Sequence, residues 1–286
     1  MPGLKDEDRR SSADAALNSA YYWWFEYLKL SKNYWWLCKE RNVHYAKSPK
    51  LIKVGEDFGD VFELDFNDWW IKVGSEIFVE QLDLPAVKQL DSSLSNRSVI
   101  QSDKVIVEIP LNMTEQTIKK QVLEIVRNQV QREIRRTTSA KRKLAKLKRI
   151  RLDVLEKARD IWCLNQIGLL ASAGAKGFEN VNPAKLSLYK IGERVKLVES
   201  CMPKATDSIE VARKKRNGMK VAVKRMLLRA DALIANAEIG SFPDFKLPPS
   251  VQCWTDLQQQ QLDDSVMNGE WQPDMIAKLL DGLTRD

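Results

Sequence analysis

The sequence holds one histidine, His44, in 286 residues. Imidazole acid–base chemistry therefore has at most one actor. Cysteine is scarce as well: Cys38, Cys163, Cys201 and Cys253 stand far apart, and no two have C-x-x-C spacing. A disulfide framework uses more cysteines in a shorter chain, so four reduced thiols are expected, as in a cytoplasmic protein. Cys38 and His44 together are too few ligands for a zinc site. No apolar run approaches the ~18 residues that span a membrane, and the first seventeen residues contain no apolar signal core. The expectation is a cytoplasmic protein that does not engage a membrane. Missing too are G-x-G-x-x-G, a Walker loop, G-x-S-x-G and H-E-x-x-H. Neither cofactor nor metal is expected, and the reading is non-enzymatic. One enzymatic alternative stays open: Asp57, Asp60, Glu63, Asp65 and Asp68 could hold Mg²⁺ for a nuclease, although acidic side chains are more often solvated surface.

What is present is enough to fold. The chain is 44% hydrophobic and 30% charged, so it can bury a core, and its length suits one large domain or two ordinary ones. The net charge of +7 is unevenly placed. Residues 119–160 carry an excess of about +10 and residues 204–229 about +7, whereas both ends are acidic. Two basic blocks between acidic flanks favour a polyanionic partner.

Along the chain, a polar leader precedes a helix expected from Asp14 to Glu40, with a kink allowed near Ser31. That stretch holds the densest aromatic group: Tyr21, Tyr22, Trp23, Trp24, Phe25, Tyr27, Tyr34, Trp35 and Trp36. A second group, Phe62, Phe66, Trp69 and Trp70, has i, i+4, i+7, i+8 spacing, which predicts a short helix starting near Asp65 or Asn67. The two groups are expected to pack as one core. A base-stacking platform is the alternative, and the acidity of the region opposes it. Residues 83–102 read as a linker. Lys104–Pro110 is the clearest strand candidate, followed by a helix over Glu115–Glu133 capped by Thr114.

Residues 131–151 are almost free of acidic charge, and Leu144, Leu147 and Ile150 recur at helical spacing, so part of this stretch reads as a basic amphipathic helix. Its charge is too one-sided for i,i+4 pairing to explain, and it suits a phosphate backbone. The helix continues to about Gly168, and 171–185 reads as loop. A short helix capped by Ser187 follows, then a long one over Ala212–Ala237, stopped by Gly240 and Pro243. Its apolar face is Val223, Met226, Leu227, Ala230, Leu233, Ile234 and Ala237. A last acidic helix falls near Asp274–Leu283.

Ile191, Gly192, Val195 and Leu197, then Val223, Arg225, Leu227 and Ala230, resemble the second and third helices of helix-turn-helix DNA-binding proteins, over residues 187–239. Leu227 stands one residue short of the family spacing. About fifteen residues separate the two helices where the family has a turn of three or four. The resemblance implies that the third helix reads the major groove of double-stranded DNA. The Tyr-Trp-Trp-Phe-Glu-Tyr-Leu and Phe-Asn-Asp-Trp-Trp segments are faintly similar to uncharacterised bacterial proteins of mobile elements or phages.

The resulting expectation is a mainly α protein, with a small α+β element near 103–133 and a helix-turn-helix-like three-helix unit in the C-terminal half. It divides into an acidic aromatic domain (1–100), a basic helical DNA-binding region (101–245) and an acidic tail with a short helix (246–286). The expected function is DNA binding by an accessory factor of transcription, replication or recombination in a bacterial mobile element or phage. The N-terminal part would serve a protein partner or self-association. The candidate DNA contacts are Arg135, Arg136, Lys141, Arg142, Lys143, Lys146, Lys148 and Arg149 in the first block. In the second they are Arg213, Lys214, Lys215, Arg216, Lys220, Lys224 and Arg225. The rival is a protein scaffold whose basic helices meet an acidic partner.

Overall fold

The structure, a computed structural model, describes residues 6–40, 46–78, 109, 112–129, 140–145 and 151–284. It divides into two compact units: residues 80–140, and residues 1–79 together with 141–286.

The larger unit opens with α1 (Asp6–Leu17), α2 (Ala20–Leu30) and α3 (Lys32–Glu40). The single helix expected from Asp14 to Glu40 is thus broken twice, each time by a serine. Ser19 accepts from the Tyr21 N–H, and the Ser31 hydroxyl accepts from the Tyr34 N–H at 2.8 Å. Each supplies a cap that continuous helix would not need. Next come α4 (Pro49–Phe58), capped by Ser48, and α5 (Phe66–Trp69), capped by Asp65. A π-helical turn (Trp70–Gly74) leads into α6 (Ser75–Phe78). In the smaller unit, α7 (Glu115–Gln129) begins at Thr114, whose hydroxyl accepts from the Thr117 N–H at 3.4 Å.

The chain then contributes α8 (Leu152–Ser172) and a 3₁₀ turn (Pro183–Leu186). It goes on to α9 (Leu188–Arg194), a 3₁₀ turn (Glu199–Cys201) and α10 (Ile209–Glu238). Last come α11 (Asp256–Met267) and α12 (Asp274–Thr284). The fold is all-helical, with no strand among the described residues. Apart from Ile109, the strand expected at Lys104–Pro110, and with it the strand half of the α+β element, lies outside the described residues. No helix among them is long and apolar enough to cross a membrane.

One aromatic-rich core joins helices from before residue 79 with helices from after residue 151. Trp24 packs its ring near Phe58, Phe78 and Phe242, with centroids 5.1, 5.4 and 5.8 Å away. Trp69 stacks on Phe58. Trp24, Trp69 and Trp70 are fully or almost fully buried, whereas Trp35 is only partly so. Several buried polar tips find partners, as burial favours, while Trp271 Nε1 and Arg142 Nη2 are buried without one among the described residues. Trp69 Nε1 donates to Phe58 O at 2.8 Å, Trp24 Nε1 to Ala237 O at 3.3 Å, and Tyr27 Oη to Leu155 O at 2.9 Å. Asn236 closes the turn after α10 by donating to Ala232 O, Asp244 O and Lys246 O.

Residues 140–145 are not helical, contrary to the amphipathic pattern through Leu144. Tertiary bonds take their backbone instead. Arg142 N donates to Ile77 O at 2.9 Å and Ala145 N to Phe242 O at 2.8 Å.

Candidate nucleic-acid interface

The basic half of α10 is held from beneath. Ser208 caps its start by accepting from the Val211 N–H, and Met219, Val223, Met226 and Ala230 bury the opposite face. Leu227, expected on that face, is only partly buried and packs at its margin. The helix α9 fits closely against α10 because residue 192 has no side chain. A Cβ there would stand 2.6 Å from Met219 Cγ and Sδ and 2.8 Å from Val223 Cγ2. Gly192 and Val223, two positions of the helix-turn-helix resemblance, thus meet between α9 and α10. The tight turn of that motif is absent: residues 195–208, including the 3₁₀ turn, separate α9 from α10.

Between Ile209 and Arg229 the helix carries eight basic side chains and one acidic, Glu210. Arg213, Lys214, Arg216, Lys220, Lys224 and Arg225 are exposed. At 100° per residue, Arg213, Lys220 and Lys224 fall within about 20° of one line along the outer face. Lys214 and Arg225 lie about 100–120° further round the helix, both on the same side of that line, and Arg213 to Arg225 spans about 18 Å along the axis. Arg213, Lys220, Lys224 and Arg225 have no ion pair among the described residues.

The remaining cations of this block already have partners. Lys214 pairs with Glu210 at 2.9 Å, with both side chains 77% exposed, so the pair is weak and easily exchanged. Lys215 pairs with Asp207 at 2.8 Å and is 23% exposed. Asp207 also accepts from the Lys204 N–H, and the Lys215 hydrogen bond holds its carboxyl below the ordinary range. Lys215 therefore ties the start of α10 to the turn before it. The Arg216 guanidinium lies 5.9 Å from the Tyr189 ring, and Tyr189 Oη donates to Glu193 Oε1 at 2.7 Å. Lys190 also bonds Glu193, and these donors, Lys190 first, keep that carboxyl below its usual range.

The first basic block is only partly described. Lys141 and Lys143 are exposed. Arg142 turns inward: its Nε pairs with Asp57 Oδ2 at 2.5 Å, the side chains being 11% and 17% exposed. Arg135, Arg136, Lys146, Lys148 and Arg149 lie outside the described residues, as does His44. Three of the five acidic residues considered for a metal have local duties. Asp57 meets Arg142, Asp60 accepts from the Phe62 N–H, and Asp65 caps α5. Among the described residues no group of three or more metal-binding side chains converges.

Sequence reasoning did not single out the aromatic seats for two of the arginines, Tyr189 under Arg216 and Phe245 near Arg229. Tyr189 was legible, since it stands on α9 three residues before the glycine at the helix contact. The chain matches no family model, no curated protein and no solved structure.

Proposed function

We propose that this protein binds double-stranded DNA through the exposed face of α10. The observation that carries the reading is the row Arg213, Lys220 and Lys224, with Arg225 about a third of a turn round the same helix. These are exposed cations without acidic partners among the described residues, on a helix anchored by its buried face. An α-helix with its side chains is about 10–12 Å across, and the major groove is about 12 Å wide. Such a helix presents its charges to phosphates at little entropic cost, because its backbone is already fixed. Lys215 belongs to the scaffold of the helix rather than to its outer face.

The test is a binding titration of wild type and Arg213→Ala/Lys220→Ala/Lys224→Ala/Arg225→Ala on duplex DNA at two salt concentrations. Four phosphate contacts at about 0.9 each predict a log–log slope near −3.6, or about 150-fold weaker binding from 50 to 200 mM salt. The variant loses that component of the slope. An unchanged affinity and slope would rule out this face.

A second reading has its own observation. Val221 and Leu228 are 49% and 67% exposed, seven residues apart among the cations. An acidic amphipathic helix from a protein partner would cover both features. Absence of DNA binding by wild type would put that reading first.

A further inference from the structure

Beyond α10's outer face, its C-terminal end borders a cavity of about 260 Å³ beneath the chain from Leu247 to Cys253. Its walls include Leu51, Leu247, Pro249 and Val251, with Asn33, Ser48 and Glu238 as polar members. The Glu238 carboxylate accepts from Ser31 Oγ at 2.5 Å and from Asn33 Nδ2 at 3.2 and 3.3 Å. Both donors are neutral. The Asn33 amide is fixed in this orientation because Trp254 Nε1 donates to its oxygen at 3.0 Å.

Two other partly buried carboxylates in this fold have a cation. Glu26 meets Arg159 at 3.3 Å, and Asp57 meets Arg142. Glu238 has no ion pair among the described residues. It also stands at the carboxyl end of a 30-residue helix, where the backbone adds partial negative charge. Burial pushes its carboxyl above the ordinary range. A half-buried carboxylate met by neutral donors alone is poorly compensated. The site is therefore short of one positive charge, and its remaining walls are largely apolar.

We propose that this cavity binds a small organic ammonium ligand, a primary amine on a compact apolar body, with Glu238 as its counter-ion. The ammonium meets the carboxylate, with the Ser48 hydroxyl among the polar groups around it. The apolar body lies against Leu247, Pro249 and Val251. The volume sits below the usual range for drug-sized ligands, which sets the ligand's size. This inference is independent of DNA binding.

The probe is benzylammonium, tested by thermal unfolding and by ligand-observed NMR saturation transfer on the full chain. Benzyl alcohol and phenylacetate serve as neutral and anionic controls. At ten times its dissociation constant the amine should raise the midpoint by roughly 2–4 °C, and the controls should not. Glu238→Gln should lose both the shift and the NMR signal. Val251→Trp, at a position 55% exposed, keeps the carboxylate and fills the cavity mouth, and it should lose them too. Equal effects of amine and alcohol, undiminished binding by either variant, or no amine binding by wild type would overturn the proposal.

Discussion

Replacing Gly192 by alanine measures how closely α9 approaches α10. Two opposing terms set the outcome. Alanine is favoured over glycine inside a helix by about 1 kcal/mol, and less in so short a helix as α9. Against that, the new methyl group would stand 2.6 Å from Met219 Cγ and Sδ and 2.8 Å from Val223 Cγ2. Both neighbours are fully buried and have no solvent side to move into. Overpacking of this kind costs about 1–3 kcal/mol. The net effect is a loss of up to about 2 kcal/mol, or a midpoint lowered by about 4 °C. Urea unfolding followed by circular dichroism gives the number. Gly282→Ala in α12 is the internal control, because a Cβ there meets nothing within 4 Å and only the helix-propensity gain remains. The two alanine variants should differ in sign. Adding Met219→Ala to Gly192→Ala removes two of the three close contacts, so the two losses should couple by about 0.5–3 kcal/mol. Stabilisation by Gly192→Ala matching that of Gly282→Ala, together with strict additivity in the cycle, would refute the close approach.

Trp69→Ala should cost about 3–5 kcal/mol by denaturant unfolding, since the ring is almost fully buried and its indole bonds Phe58 O. A loss below about 1 kcal/mol would mean that the aromatic core is not packed as described. Glu238 gives a pH signature. Its carboxyl is raised, chiefly by burial, so the folded state holds this proton more tightly than the unfolded chain does. Its contribution is fully present below the ordinary value of 4.5 and is lost as pH rises through the raised folded value. Stability of wild type should thus decline relative to Glu238→Gln as pH rises from 4.5, and a difference constant with pH would count against the carboxyl's burial.

Helix type was legible wherever the sequence carried a long apolar stripe with a cap. The extent of α10 was read to within three residues, and Thr114 and Asp65 cap the helices where they were expected. What periodicity cannot carry is a tertiary partner for the backbone. The helical spacing of apolar residues begins at Leu144, yet the carbonyls of Ile77 and Phe242 claim two N–H groups of residues 140–145. The same limit applies to the basic residues. Charge density marked the whole run from Arg213 to Arg225, but Lys215 is separated from Lys220 only by the position of Asp207. The separation of α9 from α10 was visible as an anomalous length. The α11 helix was missed because its run of glutamines gives no apolar stripe, although Thr255 and Gln258 form a capping box at its start. Glu238 could have been noticed, four residues after the buried Ile234 and on the same face.

The indole of Trp24 finds its partner, Ala237 O, 213 residues further along the chain. Ribosomes add about 5–20 residues each second, so this tryptophan is made some 10–40 s before the carbonyl it bonds. Trp24, Phe25, Phe58 and Trp69 are made through that interval before α10 is complete to cover them. An aromatic surface of that kind is a substrate for chaperones and a seed for aggregation. Yield in cells should therefore depend on translation speed and on holdase capacity more than the stability of the finished molecule would suggest. Fragments ending before α10 should accumulate in the insoluble fraction.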